Sequence, residues 1–272
     1  MRIGFIGSGA MVAAIARGGV AAGMNASDFL FTDAHGVHAP ALAAELGASV
    51  ASSNGSLAHQ VDILILGVKP HVQSAVIKMI AHIVRERPEM CVVSLAAGRT
   101  VESIAKDFGA AVPIIRVMPN VNAQIGRSMS AICSLGASEE QVAAVEALMN
   151  KVGRSIRIEE KDFPAFQALA GCSPAWAFQI IEALARAGVK HGLTKEVSVA
   201  IAAQALAGSA DLVLEASEQG TVPSELIDRV CSPGGTTIAG LLAAEAQGMS
   251  TCLISAVEAA IARDAEISTR TR

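Results

Sequence analysis

Two glycine-rich turns, one in each half of the chain, contain the residues whose types and spacing best suit a chemical role. The first is Gly7-Ser8-Gly9, which follows a short apolar run and precedes a helix-like segment that opens with Ala10 and Met11. The first glycine permits a tight turn and the second lets a diphosphate approach the backbone, while the helix N-terminus supplies amide donors and a positive dipole end. The pattern predicts a dinucleotide-binding turn.

An acidic residue, Asp33, stands at the end of the second predicted strand. A carboxylate there accepts hydrogen bonds from the ribose 2′-hydroxyl of NAD and repels the 2′-phosphate of NADP. A solvated aspartate in a turn would look the same, and the following Ala34 and His35 include no arginine. Val12 stands where a third glycine or alanine usually lets the helix pack closely on the strand, so the glycine pattern is incomplete. The choice between NADH and NADPH stays open.

The second turn leads directly into a helix that we predict to begin near Ile238. It reads Ser232-Pro233-Gly234-Gly235-Thr236-Thr237. Its glycines let consecutive N–H groups face one point, its threonine hydroxyls add donors, and the following helix contributes its positive end. The turn therefore suits the carboxylate of a small substrate. An ordinary capped turn between two helices would have the same composition.

The elements that must position the first turn alternate between strand and helix up to about residue 158. We predict strands over 3–6, 29–32, 63–68, 91–95, 114–117 and 155–158, and helices over 11–22, 40–46, 72–84, 100–108 and 139–151. This alternation of nearly continuous apolar strands with helices is typical of a doubly wound parallel sheet of the α/β class, a Rossmann-type domain. Its ligand crevice lies at the carboxyl ends of the strands.

After residue 159 the strand pattern disappears. We predict helices over 163–170, 174–191, 195–218, 224–230, 238–247 and 250–267, with Thr194 capping the third of them. The sequence therefore predicts a dinucleotide-binding domain over residues 1–160 and an all-α dimerisation and substrate domain over residues 161–272.

One predicted helix is unusual because residues 197–214 are apolar or small on nearly every face. Such a helix must be buried all round, which about 110 residues achieve with difficulty on their own. A central core helix is one interpretation, and we favour the other, a helix between subunits of a homo-oligomer. Because no uninterrupted apolar run reaches the roughly 18 to 20 residues that span a bilayer, we expect a soluble protein that contacts no membrane.

Composition excludes several classes of protein. The 272 residues are 52% hydrophobic and 17% charged, which excludes a disordered chain. A net charge of −4 with scattered basic residues argues against nucleic-acid binding. Five cysteines, widely spaced and odd in number, indicate reduced thiols in the cytoplasm, and the dispersed histidines predict no metal site. The N-terminal apolar run is too short for a signal peptide, because glycine interrupts it.

Several further motifs, taken in order, make the chain resemble the pyrroline-5-carboxylate reductase family along nearly its full length. They are Val68-Lys69-Pro70, Ser94-Leu95-Ala96-Ala97-Gly98, Arg116-Val117-Met118-Pro119-Asn120, Glu182-Ala183-Leu184, Ala187-Gly188-Val189-Lys190 and the turn 232–237 continued by Ile238-Ala239-Gly240. The resemblance implies a Rossmann domain, a helical dimerisation domain and reduction of the cyclic imine 1-pyrroline-5-carboxylate to proline with NADPH or NADH.

The resemblance also implies roles for individual residues. Those at the family's cofactor-lining positions are Asn54, Val68, Lys69, Pro70, Ala96, Ala97 and Asn120. The turn 232–237 would hold the substrate carboxylate, with Thr237 close to the imine nitrogen, where Thr237 or a water donates a hydrogen bond. Gripping the carboxylate would hold the imine carbon against the nicotinamide face.

The chain departs from the family pattern near the expected pocket. Where the family usually has Thr-Ala-Leu-Ser-Gly-Ser-Gly-Pro-Ala-Tyr, the residues that differ are Gln167, Ala170, Cys172, Ser173 and Trp176. Val121, Arg127-Ser128 and Ala205 are further differences. Loss of hydroxyls in a pocket can change substrate or rate. The alternatives are therefore a reductase of another cyclic imine or of a keto acid, and a catalytically silent nucleotide-binding scaffold.

Overall fold

The structure is a computed structural model that describes residues 1–270, with side chains as far as residue 267. The chain forms two compact units. The first comprises Met1–Gly171 and the segment from Ala260 onward, and the second comprises Cys172–Ala259.

The first unit contains an eight-stranded sheet in the part of the chain that the structure describes. Its strands are β1 (Ile3–Ile6), β2 (Phe29–Thr32), β3 (Ser49–Val50), β4 (Ile63–Leu66), β5 (Cys91–Ser94), β6 (Ile114–Met118), β7 (Ser128–Leu135) and β8 (Gly153–Arg157), in the spatial order β3-β2-β1-β4-β5-β6-β7-β8. Its first helices are α1 (Ala10–Ala21), α2 (His38–Leu46), α3 (Asn54–Ala58), α4 (Pro70–Arg85), α5 (Val101–Phe108), α6 (Glu139–Asn150) and α7 (Phe163–Phe166).

The predicted doubly wound architecture is confirmed. Alternate residues of β1, β2, β4, β5 and β6 pack against α1, α2 and α6 on one face of the sheet and against α3, α4 and α5 on the other. Strands β1, β2, β4, β5 and β6 are buried along their whole length, which explains their continuous apolar sequences. Phe5 stacks on Phe31 with ring centroids 5.0 Å apart and meets Phe29 edge to face, which fixes β1 against β2.

The sheet departs from the predicted parallel arrangement at β7. This strand runs antiparallel to β6, while β8 runs parallel to β7. Its sequence, SMSAICSL, contains serine and alanine where the other strands have branched apolar residues, and this composition hid it from a pattern search. The short elements β3 and α3 were missed as well.

The second unit is helical, as predicted. Its helices are α8 (Ser173–Lys190), α9 (Lys195–Ser217), α10 (Pro223–Val230), α11 (Thr236–Ala246) and the start of α12 (Met249–Arg270). The Thr194 hydroxyl accepts a hydrogen bond from the N–H of Val197 (3.3 Å), so this residue caps α9 as predicted.

Two predicted boundaries near the candidate site were wrong. The helix expected from Ile238 begins at Thr236, so both threonines of the turn form its first turn. The helix expected over 163–170 stops at Phe166, and a π-helical segment over Gln167–Cys172 follows it. A π-helix has one residue more per turn than an α-helix, and periodicity over so few residues does not reveal it.

The sequence contains no long uninterrupted apolar run, but average hydropathy over a helix is a less strict criterion, and two helical segments meet it. By length and composition alone, the helical segments Glu160–Lys190 and Lys195–Ser217 are apolar enough to cross a bilayer. Polar residues interrupt the apolar runs, such as Gln167 and Ser173 in the first segment and Gln204 and Asp211 in the second, but they are too few to lower the average hydropathy.

Candidate active site

The carboxyl ends of β1, β2, β4 and β5 lie side by side, and backbone hydrogen bonds connect the turns that follow them. These bonds run from the N–H of Gly7 to the carbonyl of Thr32 (2.9 Å), from Gly67 to Ile6 (2.9 Å) and from Leu95 to Leu66 (3.3 Å). The turns therefore form a connected edge at the place where this fold binds nucleotides.

The turn after β1 requires glycine at its first position. Gly7 has a φ of +94°, and a Cβ atom on it would lie 2.9 Å from the carbonyl oxygen of Gly67. Gly9 has extended backbone and precedes α1, and a Cβ on Gly9 would meet no described atom within 4 Å. The space in front of Gly9 is thus open for a ligand.

Helix α1 begins in a way that suits an anion. Its first turn contains Ala10, Met11 and Val12 and no acidic residue, and Gly9 has no side chain with which to cap the free amides. Unpaired N–H groups at a helix N-terminus favour negative charge. The turn therefore fits the diphosphate of a dinucleotide, and Ser8 lies buried behind it with its hydroxyl 3.4 Å from the carbonyl of Thr32.

Val12 stands where a smaller residue usually lets the helix pack closely on the strand. In this chain a different residue allows α1 and β4 to approach. A Cβ on Gly67 would overlap Cγ2 of the buried Val12. The small residue that lets helix and strand approach thus stands at the end of β4 instead of in α1.

A cavity of about 360 Å³ opens beside this turn. Ser8, Gly9 and Ala10 line one side of it, and Arg17, His38 and Glu45 from α1 and α2 line the other. Two hydrogen bonds of 2.7 Å join the guanidinium of Arg17 to the carboxylate of Glu45 across the two helices. Both charges are therefore already paired within the wall.

The Asp33 carboxylate organises the loop that follows β2. It accepts hydrogen bonds from the N–H groups of His35 (2.9 Å), Val37 (3.3 Å) and Ala39, the last of which lies in the first turn of α2. Partial burial opposes the charge, but the backbone donors outweigh it and lower the pKa of Asp33. Asp33 is thus a fixed negative charge at the end of β2, with part of its bonding capacity used by its own loop.

The next group of predicted residues lies around β2 and β4. The Thr32 hydroxyl donates to the side-chain oxygen of Asn54 (2.8 Å), which places Asn54 beside the end of β2. Val68 is half-buried after β4, Lys69 is exposed, and Pro70 is the first residue of α4. Proline suits this position because no helical partner exists for its missing N–H.

The turn after β5 is held by a buried polar pair that no sequence motif marks. Gln73 of α4 donates to the Ser94 hydroxyl (2.7 Å), which also accepts the N–H of Ala96 (3.3 Å). The side-chain oxygen of Gln73 is fully buried and has no hydrogen-bond partner among the described residues. Ala96 is buried and Ala97 is exposed at the tip of the turn.

Asn120, after β6, is held by hydrogen bonds of its N–H and of both polar atoms of its side chain. Its N–H donates to the Ser128 hydroxyl (3.2 Å), its side-chain oxygen accepts from the N–H of Asn122 (3.2 Å), and its side-chain nitrogen donates to the carbonyl of Ala170 (2.8 Å). Ala170 belongs to the π-helical segment. Asn120 therefore connects the turn after β6 to the segment where the chain departs most from its family.

The second glycine turn has the same local design as the first. Gly234 has a φ of +71°, and Gly235 is extended and precedes α11. A Cβ on Gly235 would overlap the hydroxyl of Ser232, so only glycine fits there. The first turn of α11 has no acidic residue, and Thr236 and Thr237 are exposed in it. The turn fits a small carboxylate.

The structure thus places the predicted residues in two groups. The nucleotide group, which lies in the first unit at the carboxyl edge of the sheet, contains Gly7, Ser8, Gly9, Ala10, Met11, Asp33, Asn54, Val68, Lys69, Pro70, Ala96, Ala97 and Asn120. The carboxylate group, Ser232 and Gly234 to Thr237, lies in the second unit. That the two turns share one cleft remains a prediction.

Burial opposes the ionisation of two cysteine thiols of the sheet. Burial raises the pKa of Cys91 to about 12 and, together with the charge of Glu160, that of Cys133 to about 11. All five cysteines are free. The described residues contain no cluster of three or more histidine, cysteine or acidic side chains that could hold a metal ion.

Comparison with known proteins assigns both parts of the chain. Residues 160–267 match the model of the pyrroline-5-carboxylate reductase dimerisation domain, and residues 2–98 match that of NADP oxidoreductases dependent on coenzyme F420. Pyrroline-5-carboxylate reductase 2 of Rattus norvegicus is 36% identical over 98% of this chain and 84% of its own length.

Solved structures agree with this assignment. The 1-pyrroline-5-carboxylate reductase of Streptococcus pyogenes is 36% identical and superposes with a TM-score of 0.84 over 97% of this chain and 98% of its own. The pyrroline carboxylate reductase of Plasmodium falciparum, solved with NADP bound, is 27% identical with a TM-score of 0.86, covering 98% of each chain. Sequence identity and fold, each over nearly the full length, show that the chain belongs to the pyrroline-5-carboxylate reductase family.

Proposed function

We propose that this protein reduces the cyclic imine 1-pyrroline-5-carboxylate to L-proline, with NADPH or NADH as the reductant. One observation carries the proposal: each part of the chain has a helix that begins after a glycine with free amides, Gly9 before α1 and Gly235 before α11. A dinucleotide and a small imino acid are the two anions that such a pair of turns would hold.

The nucleotide is the first of these ligands. The amides of Gly9, Ala10 and Met11 would hold its diphosphate, and the turns after β4, β5 and β6 would line the remainder. When bound, the nicotinamide supplies the hydride. Asp33 supports NADH, because a fixed carboxylate at the end of β2 opposes a 2′-phosphate.

The imino acid is the second ligand. The amides and hydroxyls of Ser232, Gly234 and Thr236 would bind its carboxylate and fix the ring, which lowers the entropic cost of reaction. Gly235 shapes the turn, because its own N–H donates to the Ser232 carbonyl (3.0 Å). The C=N bond gains a hydride at carbon and a proton at nitrogen. Thr237, exposed in the first turn of α11, is placed to donate a hydrogen bond to that nitrogen, directly or through a water.

The experiment is steady-state oxidation of NADH and NADPH with a panel of cyclic imino acids and keto acids. We expect the five-membered imine to be the preferred substrate. Preference for a six-membered ring or for a keto acid would favour the alternative that the changes around Gln167, Ala170, Cys172, Ser173 and Trp176 suggest. Nucleotide binding without turnover on any member would indicate a silent scaffold.

The same kinetic assay on the variant Thr237→Ala tests the role of the second glycine turn. We expect kcat to fall by about tenfold, the value of one hydrogen bond to a charged group, with the Kd of NADH unchanged. Thr251→Ala, at an exposed threonine of α12, is the matched control. Unchanged turnover in the Thr237 variant would remove this hydroxyl from the mechanism.

We include the oligomeric state of the protein and its cellular location in the same proposal. The match to a dimerisation domain and the apolar surface of α9 support a homodimer or larger homo-oligomer formed through the helical part, with its functional boundary near residue 160. The burial of α9 between subunits would account for its membrane-like hydropathy. Free thiols and a net charge of −4 support a cytoplasmic protein that binds neither membrane nor nucleic acid.

A further inference from the structure

An ion pair between a buried arginine and a half-buried glutamate connects two of the elements that carry the turns of the nucleotide edge. One carboxylate oxygen, Oε1 of Glu160, accepts from the N–H of Val101 (2.8 Å) and from Nη1 of Arg116 (3.0 Å). Val101 opens α5, directly after the turn that contains Ala96 and Ala97, and Arg116 lies in β6, two residues before its end. This one oxygen of Glu160 thus contacts both α5 and β6, the elements next to the two turns.

The environment of Arg116 shows that this pair is not an ordinary surface bridge. The Arg116 side chain is only 7% exposed, and its guanidinium carbon lies 4.2 Å from the ring centroid of Phe163. Its Nε atom is buried with no hydrogen-bond partner in the described part of the chain. Glu160 is therefore the carboxylate that neutralises a buried cation, and removing it would leave that charge uncompensated.

The position of the pair along the sheet indicates what it would orient. In this fold the adenosine half of a dinucleotide lies over β2, where Asp33 stands, and the nicotinamide half lies on the other side of β1. Strands β5 and β6 are on that other side, and Arg116 pairs in register with Ser94 at the end of β5.

We infer that Glu160 and Arg116 are positioning residues for the nicotinamide end of the cofactor site. By fixing the first turn of α5 and the end of β6, they would set the turns at Ala96–Ala97 and Met118–Asn120. The adenosine end, organised by Asp33 and Gly9, does not depend on them. This inference rests on the proposed nicotinamide-dependent function.

The test compares binding of the whole cofactor with binding of half of it. Titration calorimetry on the full chain measures the Kd of NADH, of NADPH and of ADP, which has no nicotinamide. We expect Glu160→Ala to weaken binding of the two nicotinamide nucleotides by about tenfold or more, because a charged hydrogen bond is lost, and to leave ADP binding within about twofold.

Two further variants separate positioning from folding. Glu160→Gln keeps an oxygen that accepts from Val101 and Arg116 but leaves the charge of Arg116 uncompensated, so it should restore part of the nicotinamide affinity that the alanine variant loses. Glu159→Ala removes the neighbouring glutamate, which is 73% exposed in a surface pair with Lys161, and it should change none of the three constants.

Two results would overturn the inference. Equal weakening of ADP and NADH by Glu160→Ala would indicate a general structural role, and unchanged NADH binding would indicate no role at all. Failure of the proposed function gives a different result. Wild-type protein that binds NADH but reduces no imine would contradict that function, and the Kd comparison would still test the role of the ion pair. A wild-type chain that binds neither nicotinamide nucleotide would overturn both.

Discussion

At the scale of single residues, the candidate site uses charge sparingly. Both glycine turns would bind their anions through backbone amides, and two ion pairs near the edge of the sheet, Arg17 with Glu45 and Arg116 with Glu160, are satisfied within the protein. The Asp33 carboxylate is held by backbone N–H groups. Its lowered pKa keeps it ionised well below neutral pH, so the preference for NADH that we propose for it would persist over the physiological range.

Asp33→Ala should weaken NADH binding more than NADPH binding. Loss of the carboxylate removes both an acceptor for the ribose hydroxyl and the repulsion of a 2′-phosphate, so the ratio of the two Kd values should shift by about tenfold toward NADPH. Both nucleotides should also bind more weakly in absolute terms, because the loop from His35 to Ala39 loses its central acceptor.

Asp28→Ala serves as the control for Asp33, since it removes an aspartate from the opposite end of the same strand. Kd values from fluorescence titration suffice for both variants. An equal effect on the two nucleotides would mean that Asp33 shapes its loop without touching the ribose.

At the scale of elements, the sheet could be predicted wherever the strands were buried on both faces. The continuous apolar runs of β1, β2, β4, β5 and β6 predict their positions to within two residues. Strand β7 could not be predicted in the same way, because its small and polar residues have no clear period. The replacement of the third glycine by Val12 is explained only by Gly67, a residue distant in sequence, and no local pattern connects the two.

Gly67→Ala should destabilise the protein by about 1–3 kcal/mol, because the new methyl group overlaps the side chain of the buried Val12. The double variant with Val12→Ala should recover much of that loss, since it vacates the space that the methyl group needs. Thermal unfolding of the two single variants and the double variant measures the coupling. Strictly additive losses would show that α1 and β4 do not compete for this space.

The residues of the candidate site likewise divide into those that could be predicted from sequence and those that could not. The two glycine turns and the motifs around Val68, Ala96 and Asn120 could be found from sequence because glycine and proline spacing marks them. Gln73, Glu160 and the π-helical segment could not, because their importance comes from contacts between residues 21 to 59 positions apart, such as Gln73 with Ser94 and Glu160 with Val101.

At the scale of the whole molecule, the second unit has too little interior for its apolar residues. Helix α9 buries only Ser198 and Ala202 among its 23 residues, while Ile201 is 56% and Leu212 is 52% exposed. Contiguous apolar surface of this kind marks an interaction site in a protein. The match of this region to a dimerisation domain identifies a second copy of the chain as the partner that we propose.

The double variant Ile201→Glu/Leu212→Glu should reduce the native mass to that of one 27.8 kDa chain, because two carboxylates would be buried unpaired in an apolar interface. Light scattering after size-exclusion chromatography measures this mass. Met79→Glu, at a methionine of α4 that is equally accessible, is the control. An unchanged mass in the double variant would place the interface elsewhere.

The reliance on peptide N–H groups that we propose for both turns has a consequence for how such a chain diverges. A donor that belongs to the main chain survives almost any exchange of the side chain attached to it, and only the few glycines that shape the turn are constrained. Neighbouring positions are then free to drift over generations while the recognition of phosphate and carboxylate is inherited intact, so loss of these glycines is a more informative mark of a lapsed enzyme than low overall similarity.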